Sequence, residues 1–270
     1  MGAWIGCVIV AMLLLLVGCQ RHLIYFPTRA SAEALEAQAR ALGLAPWQND
    51  AAELLGWRRS RDATASLPPQ RLVVFHGNAG MALHRSYFRD GFEAAAAPGT
   101  WDFHVFEYPG YGARAGTPGE KAFVAAAAEA LESLWREDRR PIFLLGESIG
   151  SGVACALAAR YPQRIAGLIL ITPFTRLGDV AAHHYPFLPT QLLLRERYDN
   201  SARLAHYQGP LGVLLAEHDE IIPSELGRRL YEDYTGPKRL WVHEGASHNT
   251  LHYNRTESWW AELSDFLLRR

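Results

Sequence analysis

The sequence is short of the residues that would mark several common functions. Its 270 residues include three cysteines and three methionines. Cys7, Cys19 and Cys155 are too few for a disulfide framework or a four-thiolate metal site. Lysine is nearly missing: Lys121 and Lys238 stand alone among abundant arginines, which reads as a coding preference. There is no basic surplus either, with 27 Lys+Arg against 28 Asp+Glu and a net charge of −1. Such a chain cannot neutralise a run of phosphates, so nucleic acid is not a partner. No His-Glu-x-x-His occurs, and His183-His184 lack a spaced third ligand, so a metal hydrolase is disfavoured and no metal or cofactor is implied. What is abundant is apolar: 49% of the residues are hydrophobic and 11% aromatic. That is enough to bury a full core and excludes a wholly disordered chain.

Residues 1–19 carry no charged side chain and then meet Gln20-Arg21-His22. An apolar stretch of this length is a secretory segment or a membrane helix. Leu16-Val17-Gly18-Cys19 fits a lipobox, in which small residues admit a peptidase and the Cys19 thiol receives a lipid. The alternative is an uncleaved signal anchor. Either places the rest of the chain on a membrane surface or outside the cytoplasm, as a cell-envelope lipoprotein in the first case. Gln20 rather than Asp after Cys19 would favour the outer membrane of a two-membrane host. Cys155, inside an apolar helix, reads as a small core residue.

Beyond the anchor, 31–45 reads as a helix with Ser31 as its N-cap, and 60–70, ending in Pro68-Pro69, as a turn-rich break. Short apolar runs then alternate with helical stretches. Leu72–Phe75, Phe103–Phe106, Ile142–Leu145, Leu168–Ile171, Val213–Leu215 and Leu240–Val242 suit strands buried on both faces. The helices expected between them cover 81–97, 119–137, 149–160, 223–235 and 256–268. This alternation gives an α/β domain with a mostly parallel sheet and helices on both faces. The organisation expected is a signal segment at 1–18, a lipidated segment and helix at 19–45, and one domain at 46–270 with a short cap at about 175–208.

Gly146-Glu147-Ser148-Ile149-Gly150 follows a strand and opens a helix. This is the G-x-S-x-G turn that presents a serine nucleophile, its glycines admitting a close backbone approach. A serine hydroxyl needs a base, and the base an orienting acid. His248, in the Gly245–Asn249 loop after the last strand, is the favoured base over His243 and His252. Asp219, beyond Val213–Leu215, is the favoured acid over Asp199, whose alternative role is a helix N-cap. The oxyanion donors expected are the backbone N–H of Ile149 and, from the His76-Gly77-Asn78-Ala79-Gly80 loop, that of Asn78. His76 reads as a brace for that loop.

With these landmarks in order, the sequence resembles the α/β-hydrolase superfamily. Within it, it is similar to a membrane-anchored branch that includes bacterial lipoprotein-like hydrolases and eukaryotic depalmitoylating thioesterases. The motifs that carry this are LIYFP at 23–27, FHGNAG at 75–80, EYPGYG at 107–112, GESIGSG at 146–152, TPFTRL at 172–177, RYDNSARL at 197–204, HDEIIP at 218–223 and GASHNTL at 245–251. The resemblance implies Ser148 as nucleophile, Asp219 as acid and His248 as base. It also shows a departure: Glu107-Tyr108-Pro109 stands where the branch has Asp-Tyr-Arg, which removes a positive charge beside the expected mouth of the site. Tyr108, Tyr111, Tyr185 and Phe187 are candidate pocket residues. The segment 183–188 either lines an acyl pocket or packs on the body. The activity implied is hydrolysis of a carboxylic ester or thioester of a small or acylated substrate. Amide hydrolysis with the same triad, and a non-catalytic binding scaffold, are the alternatives.

Overall fold

The computed structural model describes residues 2–60 and 70–269, together with a subset of the side chains in the N-terminal helix. The expected break at Pro68-Pro69 lies outside the described residues. Eight strands form the main sheet: β1 Leu44–Gln48, β2 Leu54–Arg59, β3 Gln70–Phe75, β4 Trp101–Phe106, β5 Ile142–Glu147, β6 Ile165–Ile171, β7 Leu211–Ala216 and β8 Lys238–His243. Their order across the sheet is β8-β7-β6-β5-β3-β4-β2-β1. The six strands β3 to β8 pair in parallel, and β1 and β2 add an antiparallel edge.

The apolar runs form strands because both faces are covered. Along β3, Val73 and Phe75 enter one core with Leu144 and Phe123. Leu72 and Val74 enter the other with Phe88, Phe143 and Trp260. This period of two divides the helices between the faces. α4 (Glu120–Glu137) and α5 (Ile149–Arg160) supply the first core, and α3 (Tyr87–Ala95) and α10 (Ser258–Leu268) the second.

α2 (Ala32–Ala41) starts at Ser31, whose hydroxyl accepts from Ala34 N–H at 3.3 Å. It ends earlier than the sequence suggested, because Gly43, at φ +66, turns the chain into β1. The domain boundary expected at residue 46 therefore falls inside a strand of the main sheet. The cap between β6 and β7 is small, consisting of α6 (Leu177–His184), α7 (Thr190–Leu193) and α8 (Asn200–Leu204). α9 (Ser224–Asp233) follows β7.

The N-terminal helix α1 spans Gly2–Ile24, and Cys7 and Cys19 are exposed on it. Among the described residues no helix is long and apolar enough to cross a membrane. The end of α1 is fastened to the cap. Gln20, 6% exposed, accepts from Arg195 N–H at 2.7 Å, and Arg21 pairs with the buried Glu196 at 2.8 Å. The Tyr25 hydroxyl donates to the same carboxylate at 2.6 Å. The next residues, Phe26–Pro27, pair in parallel with Ala79–Gly80, which joins this segment to the loop after β3.

Candidate active site

Every expected catalytic side chain lies beyond the C-terminal end of a parallel strand, Ser148 after β5, Asp219 after β7 and His248 in the loop after the edge strand β8. β5 ends at Glu147 and α5 begins at Ile149, so Ser148 alone forms the turn. Its backbone sits at φ +53, ψ −119, a region that costs a non-glycine residue about 1–3 kcal/mol. Neighbouring contacts hold it there: Ser148 N–H donates to Ile171 O at 2.8 Å, and Ser148 O accepts from Ser151 N–H at 2.9 Å. Both flanking glycines are required sterically. A Cβ on Gly146 would strike the backbone of Gly150, and one on Gly150 the carbonyl of Phe75.

Asp219 follows β7, and its side chain is 1% exposed. One carboxylate oxygen, Oδ1, accepts from Ile221 N–H at 3.0 Å and Ile222 N–H at 2.7 Å. The other, Oδ2, lies 2.7 Å from His248 Nδ1. An ionised carboxylate can only accept, so Nδ1 carries the proton and a neutral ring presents Nε2 as a base. Two further carboxylates fix the loop that carries the imidazole. Glu217 accepts from Gly245 N–H at 2.8 Å, and Glu220 from His248 N–H at 3.2 Å. Backbone donors, its own N–H and that of His248, hold the Glu220 carboxyl below its usual range.

Ser148 and His248 line one cavity of about 440 Å³ beneath the cap. Ile149, Gly77, Asn78 and Ala79 line it as well. The Asn78 loop is braced from behind: Tyr111 OH donates to Asn78 O at 2.8 Å, and Tyr108 OH to His76 O at 2.9 Å. His76 is fully buried, with Nδ1 2.7 Å from Gly77 O, as a structural brace requires.

Four aromatics stood as pocket candidates, and only Tyr185 lines the cavity. Tyr108 and Tyr111 are fully buried behind the loop, where Tyr108 stacks on Phe123 at 4.1 Å. Phe187 is 79% exposed. Glu107 is likewise buried, accepting from Ala82 N–H at 3.1 Å, and none of Glu107, Tyr108 and Pro109 lines the cavity. A positive charge nonetheless reaches the cavity from a position the sequence reading passed over. Arg85 lines it, paired with Glu147, which also accepts from Gly77 N–H at 2.9 Å. No sequence signal linked Arg85 to Glu147, because the pair forms only when the turn after β3 folds over β5.

The competing residues have other work. His243 stacks on His252 at 5.1 Å and accepts from His252 N–H through Nδ1, and burial lowers its pKa. Asp199 caps α8, accepting from Ala202 N–H at 3.0 Å. His184 contacts Ile221 O at 2.8 Å through Nε2. Cys155 is buried in α5, and desolvation pushes its thiol up to about 12. Among the described residues no group of His, Cys, Asp or Glu is placed to hold a metal ion.

Comparison with known proteins identifies the fold. The α/β hydrolase fold family matches residues 70–203. An uncharacterized protein of Mycobacterium tuberculosis (strain ATCC 25618 / H37Rv) is 35% identical over 238 residues, covering 85% of this chain and 80% of that one. The lysophosphatidylserine lipase ABHD12 of Rattus norvegicus is 31% identical over 206 residues, which is 68% of this chain and 50% of that enzyme. Among solved structures, the Pyrococcus furiosus esterase Pf2001 aligns with a TM-score of 0.64 at 16% identity, covering 90% of this chain and 96% of that one. Est1E from Butyrivibrio proteoclasticus aligns with a TM-score of 0.63 at 13% identity, covering 84% and 100%. At such identities the likeness is one of fold, and the fold is that of the α/β-hydrolases.

Proposed function

We propose that the chain, which has the α/β-hydrolase fold, is a serine hydrolase cleaving a carboxylic ester or thioester through an acyl-enzyme on Ser148. The observation that carries this reading is the pairing of a buried Asp219 with His248 at 2.7 Å, on a cavity that Ser148 also lines. The lipase and esterase relatives support ester hydrolysis in general.

In the proposed reaction His248 Nε2 takes the Ser148 proton as Oγ attacks the acyl carbon. The oxyanion forms beside the backbone N–H groups of Ile149 and Asn78, the first of which has the positive end of the α5 dipole behind it. Collapse breaks the bond to the alcohol or thiol, which leaves with the proton from His248. Water then repeats the cycle on the acyl-enzyme and releases the acid. Asp219 keeps the proton on Nδ1 and stabilises the imidazolium, without itself being protonated.

We propose further that a lipid on Cys19 tethers the enzyme to a membrane. Cys19 is exposed, and the next residue, Gln20, is docked against the cap. The anchor would thus sit beside the cap. Replacing Cys19 with Ala should abolish metabolic fatty-acid labelling, and retained label would refute the tether.

Activity is tested with matched aryl esters, thioesters and aminoacyl arylamides. Esters or thioesters should be turned over by the wild type and not by Ser148→Ala. Preference for the arylamides would overturn the ester reading.

A further inference from the structure

The catalytic cavity has a neighbour beside the cap. A second cavity of about 470 Å³ adjoins it, and Leu23, Ile24, Phe26, Ala181, Tyr185 and Leu194 border both. The second lies between the end of α1 and the cap, and Leu188 and Leu193 complete its wall. Its polar residues are spent on the protein itself. Gln20 donates to Val17 O at 2.8 Å and accepts from Arg195 N–H, while Thr190 donates to Gly178 O at 3.2 Å. The groove therefore offers an apolar path, and the buried Glu196, holding both Arg21 and Tyr25, fixes its two sides together.

The two sides of the catalytic cavity differ in chemistry. Toward the sheet lie Gly77, Asn78, Arg85, Glu147 and Asn249, and toward the cap lie Leu177, Val180, Ala181 and Leu194. An acyl group on Ser148 gains by turning toward the apolar side, which leaves the polar side for the leaving group. The rim is apolar as well. Leu23, Phe26, Tyr185 and Ile221 are 59%, 55%, 54% and 43% exposed although all four line the cavity. Such an opening suits a substrate that arrives from a lipid phase.

Resting on the hydrolase reading above, we propose that the second cavity holds the distal part of a long acyl chain, so that the substrates are long-chain acyl esters or thioesters and the segment 20–26 is part of the acyl site. The N-terminal segment is then more than a tether, because Leu23, Ile24 and Phe26 would touch the substrate. Cleavage before Cys19 would remove Val17 from the wall and keep these three.

The test compares p-nitrophenyl acetate with p-nitrophenyl decanoate, using the full chain in phosphatidylcholine nanodiscs. Each buried methylene is worth up to about fourfold, so kcat/KM should favour decanoate at least about tenfold. Leu193→Trp fills the groove away from Ser148 and should lower the decanoate-to-acetate ratio by about tenfold or more. Leu192→Trp, at a position 82% exposed and in neither lining, should leave the ratio unchanged. A small fluorophosphonate reports Ser148 reactivity separately. If every variant takes the label and the ratio stays within about twofold, or the wild type prefers acetate, the acyl site is overturned. If the folded wild type takes no label at all, the hydrolase reading fails and this inference with it. Should Leu193→Trp not fold, Leu188→Trp on the same wall carries the same readout.

Discussion

Buried charge is handled in opposite ways at the two ends of the central sheet. At the N-terminal end, Arg71 is the second residue of β3, Asp102 the second of β4, and Arg140 precedes β5. Arg71 is fully buried and reaches Leu134 O at 2.7 Å, Glu137 at 2.9 Å and Asp138 at 3.0 Å. Arg140 meets the buried Asp102 at 3.0 Å and Asp138 at 2.9 Å. These charges close on one another. At the C-terminal end, Asp219 closes on His248, which opens with Ser148 onto a cavity. One end closes its charges on one another, while at the other the Asp219–His248 pair and the strained Ser148 face a cavity. The lesson is positional: in a parallel sheet with helices on both faces, reactive groups belong beyond the strand C-termini.

The contrast breaks if mutations at the two ends have the same kind of effect. The largest expected change is chemical. Ser148→Ala should reduce ester turnover by about 10⁴ or more, while the urea midpoint moves by no more than about 0.5 kcal/mol in stability. Asp219→Asn should come next, at about 10⁴ or somewhat less in kcat, because the ring loses its tautomer. Equal losses of stability in these variants would erase the distinction.

Asp102→Ala tests the other end. It removes one of the two carboxylates that Arg140 meets, Asp138 remaining, and should cost about 1.5–3 kcal/mol in denaturant unfolding. Ester kcat/KM of the folded fraction should stay within about twofold. A selective loss of activity would mean that the N-terminal end takes part in the chemistry.

The smallest effect is a pH dependence of stability. His104 on β4 is fully buried, and burial lowers its pKa to about 4 from the model-compound value of 6.5. The unfolded chain therefore binds this proton where the native protein does not. Stability from this site is complete above about pH 6.5 and is lost as the pH falls toward 4, by up to about 3 kcal/mol. Urea unfolding at pH 7.5 and pH 4.5 measures the slope, and His104→Gln should flatten it. An unchanged slope would assign the acid sensitivity to other groups.

Much of this was legible in the sequence, for physical reasons that also explain the rest. Each of β3 to β8 contains a short, mostly apolar run, as strands beneath helices require, although the edge strand β8 is largely half-buried. β1 and β2 were not seen. They form the antiparallel edge and carry Pro46, Gly56 and Arg58-Arg59 among their apolar residues. Gly56 is explained by packing, since a Cβ there would enter the backbone of Val105 and Phe106. The 81–97 stretch divided into a 3₁₀ turn at Ala82–Arg85 and α3, with Ser86 between them.

At the site, Ser148, Asp219 and His248 stood out in the sequence because each follows a strand run in a turn, and the structure brings Asp219 to His248 and sets Ser148 and His248 on one cavity. Tyr108 and Tyr111, candidate pocket residues in the motif beside the expected mouth, lie behind the Asn78 loop instead. Their hydroxyls do reach that loop, but their rings pack inward with Phe123. Arg85–Glu147 and Tyr25–Glu196 join positions 62 and 171 residues apart, and no local pattern announces contacts at that separation.

The central claim is that Ser148 is an activated nucleophile, and a fluorophosphonate tests it most directly. Incubation of the full chain with the probe, followed by peptide mass spectrometry, should place one equivalent on Ser148. Ser148→Ala should take none, and His248→Ala should be labelled at least about 100-fold more slowly. A folded wild-type chain that remains unlabelled, or a Ser148→Ala chain that labels equally well, would contradict the account.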